Sequence, residues 1–85
     1  MAVRSAPNEL ALTRYAFAIS RRVGKAVTRN LVKRRLREVL RQSALLEGFD
    51  IVIVARPAAA TSDFQALKAE LTALLQRSRL LASPA

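Results

Sequence analysis

From Arg14 to Arg21 the large side chains Tyr15, Phe17 and Ile19 alternate with the small ones Ala16, Ala18 and Ser20. A period of two predicts a strand whose bulky face packs on the core. Its small face leaves room for a covering helix or for a bound strand of nucleic acid. Gly24 ends that pattern, and from Ala26 to Ser43, without Gly or Pro, the period becomes helical. At about 100° per residue, Val32, Leu36, Val39 and Leu40 fall in one apolar arc. After Gly48 the nearly continuous run Phe49 to Ala55 predicts a central strand buried on both faces, stopped by Arg56-Pro57. Thr61-Ser62-Asp63 opens a second helix. Ser62 with Gln65 three residues on has the capping-box pattern, and Asp63 suits the positive end of the helix dipole. Phe64, Leu67, Leu71, Leu74 and Leu75 form its apolar stripe. Met1 to Asn8 reads as a short lead closed by the Pro7-Asn8 turn signal, and residues 80–85 are expected to fray.

Strand, helix, strand, helix predicts an α+β fold, a two-layer α/β sandwich: a small sheet with a basic helix between two strands and a C-terminal helix. The 85 residues make one domain (1–85, with 1–8 and 80–85 expected to be flexible), near the size below which folding needs disulfides or metals. The sequence has no cysteine and no histidine, which excludes a thiol nucleophile, a Ser-His-Asp triad and the usual zinc sites. No apolar run reaches the ~20 residues that span a bilayer, and no membrane partner is expected. The start does not read as a signal peptide, and a cytoplasmic location is the expectation.

Charge changes the picture most. Fifteen Lys and Arg stand against six Asp and Glu, a net of +9. Ten of the bases lie between Arg14 and Arg41, where the only acid is Glu38. The rest of the chain is neutral. A charge gathered on one third of a chain marks a surface for a polyanion. Arginine outnumbers lysine twelve to three, and its planar fork suits phosphate pairing and base stacking, favouring nucleic acid over an anionic membrane. On the helix, Asn30, Lys33, Arg34, Arg37 and Arg41 share an arc distinct from the apolar one. Lys33, Arg37 and Arg41 stack at intervals of four, an arrangement that repels itself until phosphates neutralise it. Catalytic motifs are missing. The two glycines are isolated, so no phosphate loop forms, and the six acids lie too scattered for an acid/base pair or a two-metal site. Asp50 reads as a loop-end acid.

The stretch Val23-Gly24-Lys25-Ala26-Val27-Thr28-Arg29-Asn30-Leu31-Val32-Lys33-Arg34-Arg35-Leu36-Arg37-Glu38 is similar to the most characteristic segment of the bacterial ribonuclease P protein family. There a strand ending in Ser-Lys/Arg-Lys/Arg runs through a Val-Gly turn into a helix carrying Arg-Asn-Arg. Here Ser20-Arg21-Arg22 stands at the strand end and Arg29-Asn30 supplies the first two motif positions. Asp50 to Pro57 with the following helix also resembles the family's closing elements, so the resemblance runs from about Asn8 to Leu81. It departs in two places. Leu31 replaces the motif's second arginine, and weaker RNA contact is expected there. Family members also usually begin with a further helix and strand whose aromatic residues help line a cleft for the pre-tRNA leader. Ala2-Val3-Arg4 matches only the tail of that strand, so the sequence reads as an N-terminally short member.

The resemblance implies the protein subunit of ribonuclease P, monomeric in a 1:1 ribonucleoprotein. Its partners would be the ribonuclease P RNA and precursor tRNA. The RNA, with the magnesium it requires, would cut the phosphodiester joining leader to tRNA, so the protein carries no catalytic residue and no metal or cofactor of its own. The implied RNA contacts are Arg21, Arg22, Lys25, Arg29, Asn30, Lys33, Arg34, Arg37 and Arg41, with Ala18 and Ser20 at the leader cleft. The same size and charge would also suit a ribosomal protein or general RNA chaperone, which would not distinguish precursor from mature tRNA. A DNA-binding module would need a helix-turn-helix partner for the basic helix, and a standalone nuclease would need the missing acids or histidines.

Overall fold

The computed structural model describes residues 1–82. Its strands are β1 (Ala2–Pro7), β2 (Arg14–Ile19) and β3 (Phe49–Ala55), and its helices α1 (Ala26–Gln42) and α2 (Phe64–Arg77). Short 3-10 turns at Arg21–Val23 and Pro57–Ala60 lead into the helices. The sheet order is β1-β3-β2. β3 is central, as its β-branched run requires. It pairs antiparallel with β1 (Val3 opposite Ile53) and parallel with β2 (Phe17 opposite Ile53). Parallel neighbours need a long crossover, and α1 is that crossover.

Both helices pack on one face of the sheet, giving the two-layer α+β arrangement. The core joins Ile51, Ile53 and Ala55 of β3 to Val32, Leu36, Val39 and Leu40 of α1 and Leu67, Leu71 and Leu75 of α2, all buried. The four apolar positions expected on α1 are the four the core takes. β3, by contrast, is buried on one face only. Val52 is 37% exposed, and with exposed Ala16 and Ala18 of β2 and Arg4 of β1 it forms the outer face of the sheet. The β-branched run reflects the central position and strand propensity; among the described residues nothing covers its far side.

The two ends differ from the sequence reading. The lead Met1 to Asn8 contains edge strand β1, and the Met1 amino group lies 3.5 Å from the Glu70 carboxylate on α2. A six-residue strand in which Val3 packs on the core, beside the preceding Met1, had too little periodicity to be recognised. At the other end, α2 closes in a Schellman motif. The Leu80 amide bonds the Leu75 carbonyl at 3.0 Å and the Arg79 amide bonds Gln76 at 3.1 Å, while Arg79 takes φ +56°. Leu80 is thereby buried, and Leu81 bridges to Leu45, so these two positions pack instead of fraying; residues 83–85 lie outside the described residues. The cap of α2 also differs. Asp63, not Ser62, is the N-cap, accepting from the Ala66 amide at 2.8 Å, while Ser62 donates its hydroxyl to the Ala58 carbonyl. No capping box forms, because Ser62 sits one residue too early.

Gly48 fastens the loop between β1 and β2 to the start of β3. Its carbonyl accepts from the Asn8 amide (2.8 Å) and its amide donates to the Leu12 carbonyl (3.2 Å). At φ +87°, with the Leu10 carbonyl 3.3 Å from where a Cβ would stand, the position requires glycine. Beside it Asp50 accepts two hydrogen bonds from the Arg14 guanidinium (2.9 and 2.8 Å) and one from the Asn8 amide group (3.0 Å). These bonds, the guanidinium's above all, hold the Asp50 carboxyl below its ordinary value and raise that of Arg14.

Three outcomes are expected. Leu71→Ala should cost about 2–5 kcal/mol in urea unfolding, a large share of the stability of so small a domain. Arg79→Gly should stabilise by about 0.5–1 kcal/mol, since it relieves a left-handed non-glycine residue. Asp50→Asn should lower stability slightly at neutral pH. Because the folded carboxyl is the more acidic, its contribution is present above the unfolded value and is lost as pH falls through the folded one. The difference between wild type and Asp50→Asn should therefore begin to shrink as pH falls past about 4, the ordinary carboxyl value, and be smallest below the more acidic folded one. A urea midpoint series against pH measures it.

Candidate nucleic-acid interface

Burial of Val32, Leu36, Val39 and Leu40 fixes the rotation of α1 about its axis. The remaining faces follow at set angles. Asn30, Lys33, Arg34, Arg37 and Arg41 are exposed. Among the described residues Lys33, Arg34 and Arg37 make no ion pair, so a basic ridge stands toward solvent without a protein counterion. At the amino end, Lys25 is the N-cap without a side-chain capping bond, and the first turn holds no acid. Arg21, Arg22 and Lys25 gather there, exposed, around the positive end of the helix dipole. Ser20 caps the preceding 3-10 turn, accepting from the Arg22 amide at 3.1 Å. Gly24 links the two at φ +151°; a Cβ there would come within 3.1 Å of Thr28.

Between α1 and β2 lies a cleft lined by Phe17, Ile19, Ala26, Arg29, Asn30 and Lys33, with a volume of about 240 Å³. The Arg37 guanidinium sits 5.9 Å from the centre of the Phe17 ring, and Tyr15 meets Phe17 edge to face at 5.8 Å. That cation–π contact sets one arginine at the mouth of an aromatic ledge. Arg29 lies on the inner side of the helix, where its Nε is buried and finds no hydrogen-bond partner among the described residues. An uncompensated buried donor on a cation is costly unless an anion completes it.

Ala18, read with Ser20 as lining a leader cleft, lies exposed on the outer face of the sheet, away from this cleft, and the Ser20 side chain caps the 3-10 turn. Strand alternation is the reason: the face that meets α1 carries Tyr15, Phe17 and Ile19, so the bulky residues, not the small ones, line the cleft. Phe17 and Ile19 were legible only as core. Their part in the cleft comes from α1 standing off the end of β2, which periodicity does not encode.

Three of the clustered bases have partners inside the protein. Arg14 is held by Asp50, Arg41 pairs with Glu38 at 3.1 Å, and Arg35 donates to the Ser62 carbonyl at 3.0 Å, tying α1 to the start of α2. The unpaired cations are thus concentrated on the cleft side of α1 and at its amino end. Four of the six acids are also committed: Asp50, Glu38, Asp63 and Glu70 hold Arg14, Arg41, the α2 cap and the Met1 amino group. This arrangement has the chemistry to bind phosphates and stack bases; among the described residues the paired acids each hold a base, an amide or the amino terminus.

Comparison with known proteins agrees with these features. The family model for ribonuclease P matches residues 1–79. The chain is 42% identical over 79 residues to the ribonuclease P protein component of Dehalococcoides mccartyi, covering 93% of this chain and 66% of that protein. It is 47% identical over 74 residues to the component from Citrifermentans bemidjiense, covering 86% and 64%. The chain therefore spans just under two thirds of the length of these relatives. Among solved structures, the RNase P protein from Thermotoga maritima superposes with a TM-score of 0.80 at 32% identity, covering 88% of this chain and 74% of that one. The Staphylococcus aureus RNase P protein gives 0.82 at 27% identity, covering 93% and 74%. With the motif helix, the sheet and nearly the whole chain in register, this protein belongs to the ribonuclease P protein family.

Proposed function

We propose that the chain binds the ribonuclease P RNA and the 5′ leader of precursor tRNA, and so assists endonucleolytic removal of the leader. The observation that carries this reading is the juxtaposition of an unpaired basic ridge (Lys33, Arg34 and Arg37) with the Phe17 cleft on the same side of α1. The ridge neutralises phosphates of a structured RNA. The cleft admits a single strand whose bases contact the Phe17 ledge while Arg29, Asn30 and Lys33 hold its backbone. Bond cleavage belongs to the RNA subunit and its magnesium. The protein's cations lower the repulsion between two RNAs and thus the magnesium needed to bring them together. Family membership favours this over a ribosomal protein or general RNA chaperone. A monomer in a 1:1 ribonucleoprotein, working in the cytoplasm, is the simplest assembly consistent with a single basic face.

Binding to the ribonuclease P RNA should weaken steeply with salt, with a log–log slope of about −3 to −6 if roughly 5–8 phosphates are engaged. Arg34→Ala with Arg37→Ala should cost about 2–4 kcal/mol of affinity and flatten that slope by about two. In a cleavage assay the protein alone should leave precursor tRNA intact. With the RNA subunit at low magnesium it should accelerate leader removal, and the double variant should lose most of that acceleration yet recover at high magnesium. Cleavage by the protein without RNA, or a double variant still inactive at saturating magnesium, would overturn the reading.

A further inference from the structure

Val27 and Leu31 stand one turn apart on the outward crest of α1, 82% and 36% exposed. They are out of place by the physics of the rest of the helix, whose apolar side chains are otherwise committed to the core. Neither belongs to the core cluster. Together with Asn30, Lys33, Arg34 and Arg37 they line an open groove of about 580 Å³, apolar on one side and cationic on the other. It adjoins the Phe17 cleft, with which it shares Asn30 and Lys33, but its apolar wall of Val27 and Leu31 belongs to the groove alone. Leu31 also occupies the motif position where the resemblance led to an arginine.

We propose that the Val27–Leu31 step is a contact for the flat face of an unstacked nucleobase in the RNA that α1 binds. The inference rests on the RNA-binding reading and names the chemistry of one part of that surface. The cationic wall decides the class of occupant. Three unpaired cations beside an apolar step attract a partner that combines negative charge with a flat apolar surface, and a base attached to its phosphate is such a group. A second copy of the chain is disfavoured, because the same cations would face one another across the contact. At this position an arginine would add a phosphate contact that salt weakens. A leucine adds apolar burial, which salt screening leaves untouched.

The test uses the full chain and Val27→Ala with Leu31→Ala. Both positions are exposed and alanine is the best helix former, so the variant should keep its fold, checked by circular dichroism and melting. Two probes are needed: the ribonuclease P RNA, and a single-stranded RNA oligomer paired with an abasic version carrying the same phosphates. The variant should bind the ribonuclease P RNA about three- to tenfold more weakly at every salt concentration, with an unchanged log–log slope. Wild type should prefer the base-bearing oligomer over the abasic one, and the variant should lose part of that preference. Leu31→Arg should instead steepen the slope by about one. A variant that binds all probes as wild type does, or whose loss of affinity comes with a changed slope, overturns the base contact. Wild type that self-associates in sedimentation while the variant does not would assign the step to a second copy and overturn it too. If the Arg34/Arg37 double variant still loses affinity for the ribonuclease P RNA, the RNA-binding reading survives such a failure; if neither variant changes binding, that broader reading fails.

Discussion

The burial of the α1 apolar arc in the core it shares with α2 and the inner face of the sheet is the constraint on which the rest of the molecule depends. Leu36 and Ile53 are fully buried, and Val32, Val39 and Ile51 nearly so. A helix held by four residues on one side cannot turn about its axis without exposing them. Its other faces are therefore fixed in direction. The cations of Lys33, Arg34 and Arg37 are presented together because Leu36 and Leu40 are buried together. Truncating a core leucine would loosen that presentation without removing a single charge.

That presentation has a cost. Like charges at intervals of three and four repel and weaken the helix that carries them. The structure offsets part of this internally, with Glu38 against Arg41, Arg35 on the Ser62 carbonyl and Arg37 over Phe17. The contacts of Arg35 and Arg37 also secure α1 to the segment before α2 and to β2. The remaining cations have no such relief among the described residues, nor does the Nε of Arg29. A surface of this kind is tense alone and relaxed with a polyanion, which is how a small basic protein can discriminate in favour of densely packed phosphates.

Much of the fold was legible because its strongest signals are periodic. The arc of α1 is buried as its pattern marks, the stripe of α2 is buried at Leu67, Leu71 and Leu75, and the run of β3 marks the central strand though only one of its faces is covered. What escaped is non-local. β1 pairs with β3 across more than forty residues of chain, and its few apolar side chains give no local period. The outer face of β3 is open because no described element reaches it, and nothing in Val52 or Val54 announces that. Leu80 is buried by a backbone motif in which an arginine takes the conformation usually left to glycine. At the candidate site the basic ridge was plain in the sequence, whereas the assignment of Arg14, Arg35 and Arg41 to protein partners was not. Those pairings link residues to Asp50, Ser62 and Glu38, and only the first two depend on tertiary structure; the spacing of Glu38 and Arg41 could have been recognised on the helix.

The central claim is that one face of α1, fixed by the core, is the RNA surface. The most direct measurement is a footprint of lysine and arginine modification on the full chain with and without the ribonuclease P RNA, read by mass spectrometry. Lys33, Arg34 and Arg37 should be strongly protected. Lys68, Arg77 and Arg79, on and beyond α2, should react equally in both states. Protection centred on α2, or spread evenly over all the basic residues, would contradict the account.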